Sequence, residues 1–150
     1  MGLNATFPTA FGTFANWLYT QQVVDAAGDT PCPTYLLVLR ILAHQLLVPA
    51  LQNQIMEILQ ERQKDRRLPS AAFRYVYGNT GKDSPLRRYI VDACSNGPLG
   101  DIINTDNYPP RLLVEIINAM RERVVEREWE PSKEQAASYL VSEAVGKRKV

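Results

Sequence analysis

Tyr35-Leu-Leu-Val-Leu-Arg-Ile-Leu-Ala-His-Gln-Leu-Leu47, followed by Val48-Pro49, is the stretch that decides the fold. Leu36, Leu39, Leu42, Ala43 and Leu46 recur at three- and four-residue spacing, and Leu37, Val38 and Ile41 fill most of the remaining circumference. That period is helical, and a helix apolar nearly all round is buried on several sides. Arg40 interrupts the run, which is far short of the ~20 residues needed to cross a bilayer. Pro31 and Pro33 end any earlier element and permit a helix start at Thr34. Pro49 fits the first turn of a second helix, with Leu51, Ile55, Ile58 and Leu59 inward. So few residues separate the two that they form a tight helical pair.

Working toward the N-terminus, Phe11, Phe14, Trp17 and Leu18 make one aromatic face of a helix from about Pro8 to Thr20, with Thr6 as its cap. Gln22-Val23-Val24 is at most a short strand, and residues 25–33 form a loop.

Toward the C-terminus, Arg62 to Arg67 is a charged stretch that frays the second helix into a linker. Ser70 is a candidate cap for a helix with Phe73, Val76 and Tyr77 inward, ended by Gly78-Asn79-Thr80-Gly81. Ser84-Pro85 opens the next helix, with Leu86, Ile90 and Ala93 as its buried stripe. Ser95 to Asp106 reads as a connection with Leu99, Ile102 and Ile103 tucked in. Tyr108-Pro109-Pro110 opens a long helix whose inward stripe is Leu113, Ile117, Met120 and Val124 and which Pro131 stops. Ser132 and Glu134-Gln135 cap a terminal helix running to Val145. The fold class is therefore mainly α. The chain divides into 1–65, a helical extension 66–130, and a poorly packed tail 131–150.

The 150 residues fit one domain, or one domain with a tail. Apolar residues are 45% and charged residues 22%, which excludes wholesale disorder. Seventeen Lys and Arg against sixteen Asp and Glu leave a formal charge of +1, so bulk electrostatics makes no case for nucleic acid or an anionic membrane as main partner. Met1 to Thr9 lacks the basic and apolar regions of a signal peptide. Cys32 and Cys94 then read as reduced thiols in an intracellular protein of the cytoplasm or nucleus.

Little in the chain points to chemistry. His44 is the only histidine, and three and four positions away stand Leu47, Val48, Arg40 and Ile41, with no acid to orient it as a base. Cys94 ends a helix, where the dipole disfavours a thiolate, and Cys32 sits between two prolines. Neither cysteine has a metal-ligand spacing, and no phosphate-binding glycine loop or nucleophile elbow is present. Arg88 with Asp92, and Glu143 with Lys147, are surface pairs. The residues therefore imply no catalysis, no cofactor and no metal. One oddity is Arg87-Arg88 in the first turn of a helix, where positive charge opposes the dipole. Asp83 or Asp92 compensates it, or a partner does.

Three segments together resemble the BTB/POZ domain. Phe11-Gly-Thr-Phe-Ala-Asn-Trp17-Leu18-Tyr19-Thr20 is similar to the family's "F…WLYTG" helix. Leu39 to Asn53 is similar to the following hairpin, usually "LYVLADKLLVPELQN". Ala72-Phe-Arg74-Tyr75-Val76-Tyr77-Gly-Asn79-Thr80, then Ser84-Pro85-Leu86-Arg87-Arg88, resembles the stretch after the domain in fungal members. Position 21 is Gln where the family usually has Gly, and His44-Gln45 stand where it often has Asp-Lys. The strands and helices that precede the Trp-Leu-Tyr helix in a complete domain are not in the chain. The resemblance thus implies the later half of a BTB/POZ domain plus its helical extension.

That resemblance implies a protein–protein interaction module, homo-oligomerising in some relatives and an adaptor to a cullin-type ubiquitin ligase in others. The cullin-binding motif, hydrophobic-x-Glu, has only Val24-Asp25 near its place. Candidate partner contacts are Trp17, Tyr19, Val24, Asp25, Arg87 and Arg88. Two other classes compete, and an incomplete gene product without independent function is a further alternative. A ligand-binding enzyme would use a pocket near His44. A helical nucleic-acid binder would use Arg62, Lys64, Arg66, Arg67 and the Lys147-Arg148-Lys149 tail.

Overall fold

In the computed structural model, residues 3–63, 68–96, 103, 105–124 and 130–141 are described. The architecture is mainly helical. Helix α1 spans Leu3–Thr20, α2 Pro33–Gln45 and α3 Pro49–Gln63. A 3-10 turn at Ser70–Ala72 leads directly into α4, Phe73–Gly78. Then come α5, Pro85–Asn96, α6, Pro110–Arg123, and α7, Lys133–Ser138.

Helix α2 is the centre. It contacts α1, α3, the 3-10 turn and α4, and every residue from Leu36 to Ala43 is buried. This is the outcome its all-round apolar character dictates. Helix α1 lays Ala10, Phe14 and Trp17 against it, and α3 supplies Leu51, Ile55 and Leu59. In the second half, Phe73, Val76, Leu86, Ile90, Leu112 and Ile116 extend the same continuous cluster. Phe73 meets Tyr108 edge to face, ring centroids 5.3 Å apart. Helix α6 lies along α5.

The α2–α3 corner has a defined chemistry. Leu47 N–H donates to the His44 carbonyl at 3.1 Å, and Val48 N–H donates to the Ala43 carbonyl at 2.9 Å. These are the two bonds of a Schellman C-cap, with Leu47 in the left-handed region at φ 57°. Helix α2 therefore ends at Gln45, and Leu46 turns toward solvent instead of joining the inward face.

Other expectations from the periodicity are corrected. Helix α1 starts at Leu3, so Thr6 is inside the helix and not its cap, and Pro8 is also internal. Pro8 forfeits one backbone bond there. Phe11 and Leu18 face outward, because the buried side of the helix carries Ala10, Thr13, Phe14 and Trp17. No strand forms at Gln22–Val24. The segment has no regular secondary structure, and of the three residues Val23 alone is buried in the core. Pro69, not Ser70, precedes the 3-10 turn. Helix α6 ends at Arg123, well before Pro131. Its buried residues are Leu112 and Ile116, while Ile117, Met120 and Val124 are exposed. The terminal helix stops at Ser138. Its capping box forms as expected, with Ser132 Oγ accepting from Gln135 N–H and Gln135 Oε1 from Ser132 N–H. Ile103 is exposed and not tucked in. Leu99, Ile102, residues 64–67 and the Glu143–Lys147 pair lie outside the described residues.

Candidate functional site

Arg87 resolves the charge anomaly of the α5 N-terminus. Its side chain is only 7% exposed and reaches back to the end of α4. Nε donates to Thr80 Oγ1 at 2.9 Å, and Nη2 donates to the Tyr77 carbonyl at 2.8 Å and the Thr80 carbonyl at 2.7 Å. The carbonyl end of a helix is its negative pole, so the cation that opposes one dipole serves another. The guanidinium also lies 4.2 Å from the centroid of the Tyr77 ring. Tyr77 Oη donates in turn to a carboxylate oxygen of Glu115 on α6. Arg87, Tyr77 and Glu115 thus tie α5, α4 and α6 together. Neither Asp83 nor Asp92 compensates Arg87, and Asp92 stands 3.9 Å from Arg123.

Trp17 is likewise buried within the chain, and its Nε1 donates to Gln54 Oε1 at 2.8 Å. Gln54 Nε2 donates to the Gln21 carbonyl at 3.3 Å. Gln21 has φ 57° and closes α1 with its backbone N–H on the Trp17 carbonyl at 2.7 Å. This is a left-handed C-cap held by a residue other than glycine. Asp25 is spent on its own loop, where Oδ1 accepts from Ala27 N–H at 2.9 Å and Asp29 N–H at 3.0 Å. Val24 is half-buried. Of the six candidate contacts, Tyr19 and Arg88 are exposed, Tyr19 at 90%.

The chemistry-bearing residues stay apart. His44 is exposed at the end of α2. Burial pushes the Cys94 thiol up to about 11, while Cys32 is exposed. Among the described residues no group of three or more His, Cys, Asp or Glu is placed to hold a metal ion. Arg62, one of the cations proposed for nucleic acid, donates to the Pro31 carbonyl at 2.6 Å and the Thr30 carbonyl at 3.1 Å. It fastens α3 to the loop before α2. Lys64, Arg66, Arg67 and the basic tail lie outside the described residues. No helix among the described residues is long and apolar enough to cross a membrane.

What the structure leaves open is apolar surface. On α6, Leu112 and Ile116 are covered by the core, whereas Val114, Ile117, Met120 and Val124 are exposed. Ile117, Met120 and Val124 recur at three- and four-residue spacing and form one stripe, with Leu113 half-buried at its head. A contiguous apolar stripe differs from scattered exposed leucines, because its neighbours can be covered together by one surface. Sequence reasoning found this stripe but assigned it to the core. The helix is apolar over an arc wider than α5 can cover, so period alone did not decide which half is inside. Phe11 and Leu18 make a smaller outward pair on α1.

Compared with known proteins, the chain matches no family model, no curated protein and no solved structure.

Proposed function

We propose that this chain is a protein–protein interaction module of BTB/POZ type that works by helix packing and not by catalysis. The observation that carries the proposal is the uncovered stripe of Ile117, Met120 and Val124 on α6. The resemblance of the α1, α2–α3 and α4–α5 segments to BTB/POZ sequences supplies the family. The near-neutral charge favours contacts made by packing over electrostatic ones. Association acts here by removing apolar area from water, worth about 25 cal/mol per Å² before the costs of binding. Self-association or an adaptor role both follow from such a face. The adaptor role toward a cullin-type ligase draws only on the family resemblance, since Asp25 is engaged within its own loop.

The test compares the intact chain with its Ile117→Asp variant. Ile117 is 55% exposed and outside the core cluster, so the variant keeps the helical content seen by circular dichroism. Light scattering across a concentration series and affinity capture then read assembly. A complex formed by the native chain and lost in the variant supports the reading. A monomer at every concentration whose captured proteins are identical for both chains overturns it.

A further inference from the structure

We propose that the C-terminal segment from Ser132 to Val141 is a strap that closes over the α6 stripe of its own chain. In the closed state Ala137, Leu140 and Val141 cover Ile117, Met120 and Val124, and Glu134 meets Arg121. The inference rests on the reading of α6 as a docking face, and it adds how that face is regulated.

Four observations lead there. The first is that α7 has six residues and buries none of them. An isolated helix of that length is marginal in water, because nucleation costs more than so few bonds return. A complete capping box nevertheless starts it. The segment is therefore prepared for helix and lacks the surface that would complete one.

The second is its apolar content. Leu140 and Val141 come just after the Tyr139 C-cap and are exposed. Continued at helical spacing, Ala137, Leu140 and Val141 share one side, and Tyr139 lies on the other.

The third is reach. Residues 125–131 separate the end of the stripe from the cap, and that length extends at most roughly 25 Å. The stripe from Ile117 to Val124 is only about 10 Å long. A tethered segment of this length meets the stripe at a high effective concentration, which favours it over a free competitor.

The fourth is charge. Arg121 is exposed at the edge of the stripe, and no acid pairs with it among the described residues. Glu134 is exposed in the first turn of α7, one helical turn before Ala137 and two before Val141. Docking the apolar side of α7 brings Glu134 to the stripe's edge. A partner for the α6 face must then displace the strap, and the affinity it shows is lowered by the fraction of chains that are closed.

The experiment labels the methionine methyls of the intact chain, which has three methionines, together with leucine methyls. The closed state gives a nuclear Overhauser contact between the Met120 ε-methyl and the Leu140 methyls that persists unchanged on dilution. Leu140→Asp abolishes the Met120 shift that accompanies it, whereas Tyr139→Asp leaves it in place. Arg121→Glu weakens the contact, and adding Glu134→Arg restores it. Absence of the contact overturns the strap, as does a contact that fades on dilution, which would place a second copy on the stripe. In either of those cases partner binding lost through Ile117→Asp still upholds the docking face, so the two readings fail separately.

Discussion

The Arg87 guanidinium stands 4.2 Å from the centroid of the Tyr77 ring, and the same group donates to the Tyr77 carbonyl. One side chain thus caps the end of α4, covers its aromatic and begins the next helix. The consequence is that Arg87 belongs to the fold and not to a free surface.

Arg87→Lys keeps the charge but loses the planar fork that reaches Thr80 and Tyr77 together. The expected cost is about 2 kcal/mol, from the lost hydrogen bonds and the weaker stacking on the ring. Urea unfolding followed by circular dichroism checks it. A midpoint equal to that of the native chain would show that Arg87 is dispensable to the α4–α5 junction.

The two left-handed corners make a matched pair. Leu47 has φ 57° and is 80% exposed. Leu47→Gly relieves backbone strain and is expected to stabilise by about 1 kcal/mol. Gln21 has the same φ, but its Nε2 donates to the Trp17 carbonyl at 3.1 Å. Gln21→Gly exchanges that bond for relief of strain, so its change is expected to be smaller. Thermal unfolding of the two variants ranks them. A larger gain for Gln21→Gly would reverse the account.

Alkaline pH is expected to weaken the fold. Burial pushes the Cys94 thiol from 9.0 up to about 11 and the Tyr89 hydroxyl from 10.0 up to about 12. Tyr77 is raised as well, by burial first and then by its hydrogen bond to Glu115. In all three the fold holds the neutral form. The unfolded chain ionises first, so it binds fewer protons and stability declines as pH rises. The stability is fully present below the ordinary thiol value of 9.0 and is lost through the range up to about 12. Urea midpoints at constant ionic strength trace the decline, and Cys94→Ala flattens its lower part. Midpoints level from pH 9.0 to about 12 would contradict the burial of these groups.

The helical architecture was legible because its signals were local. The run from Leu36 to Ala43 has no polar side to expose, and Pro33, Pro49, Pro85 and Pro110 each stand at the first position of a helix. The facing of residues was less legible, because it depends on neighbours distant in sequence. Arg87 was recognisable as an oddity, since a cation at a helix N-terminus needs an explanation. Its partners are carbonyls of residues 77 and 80, and carbonyls leave no trace in side-chain identity. Trp17 carries the strongest aromatic signal on α1, but burial by α2 and the Gln54 bond commit it to the core. Tyr19, two residues on, faces solvent, as does Phe11.

Adjacent isoleucines on α6 put the same lesson to a quantitative test. Ile116 is 2% exposed against α5, whereas Ile117 is 55% exposed. Ile116→Ala removes buried methyl groups and leaves a cavity, with an expected cost of about 2 to 4 kcal/mol. In a chain that also carries Leu140→Asp, which keeps the strap open, Ile117→Ala is expected to stay within about 0.5 kcal/mol, because the side chain is then in water. Binding should divide the pair the other way, with Ile117→Ala weakening association and leaving the open chain's unfolding curve in place. Equal destabilisation of this open chain by Ile116→Ala and Ile117→Ala would overturn the outward placement of Ile117.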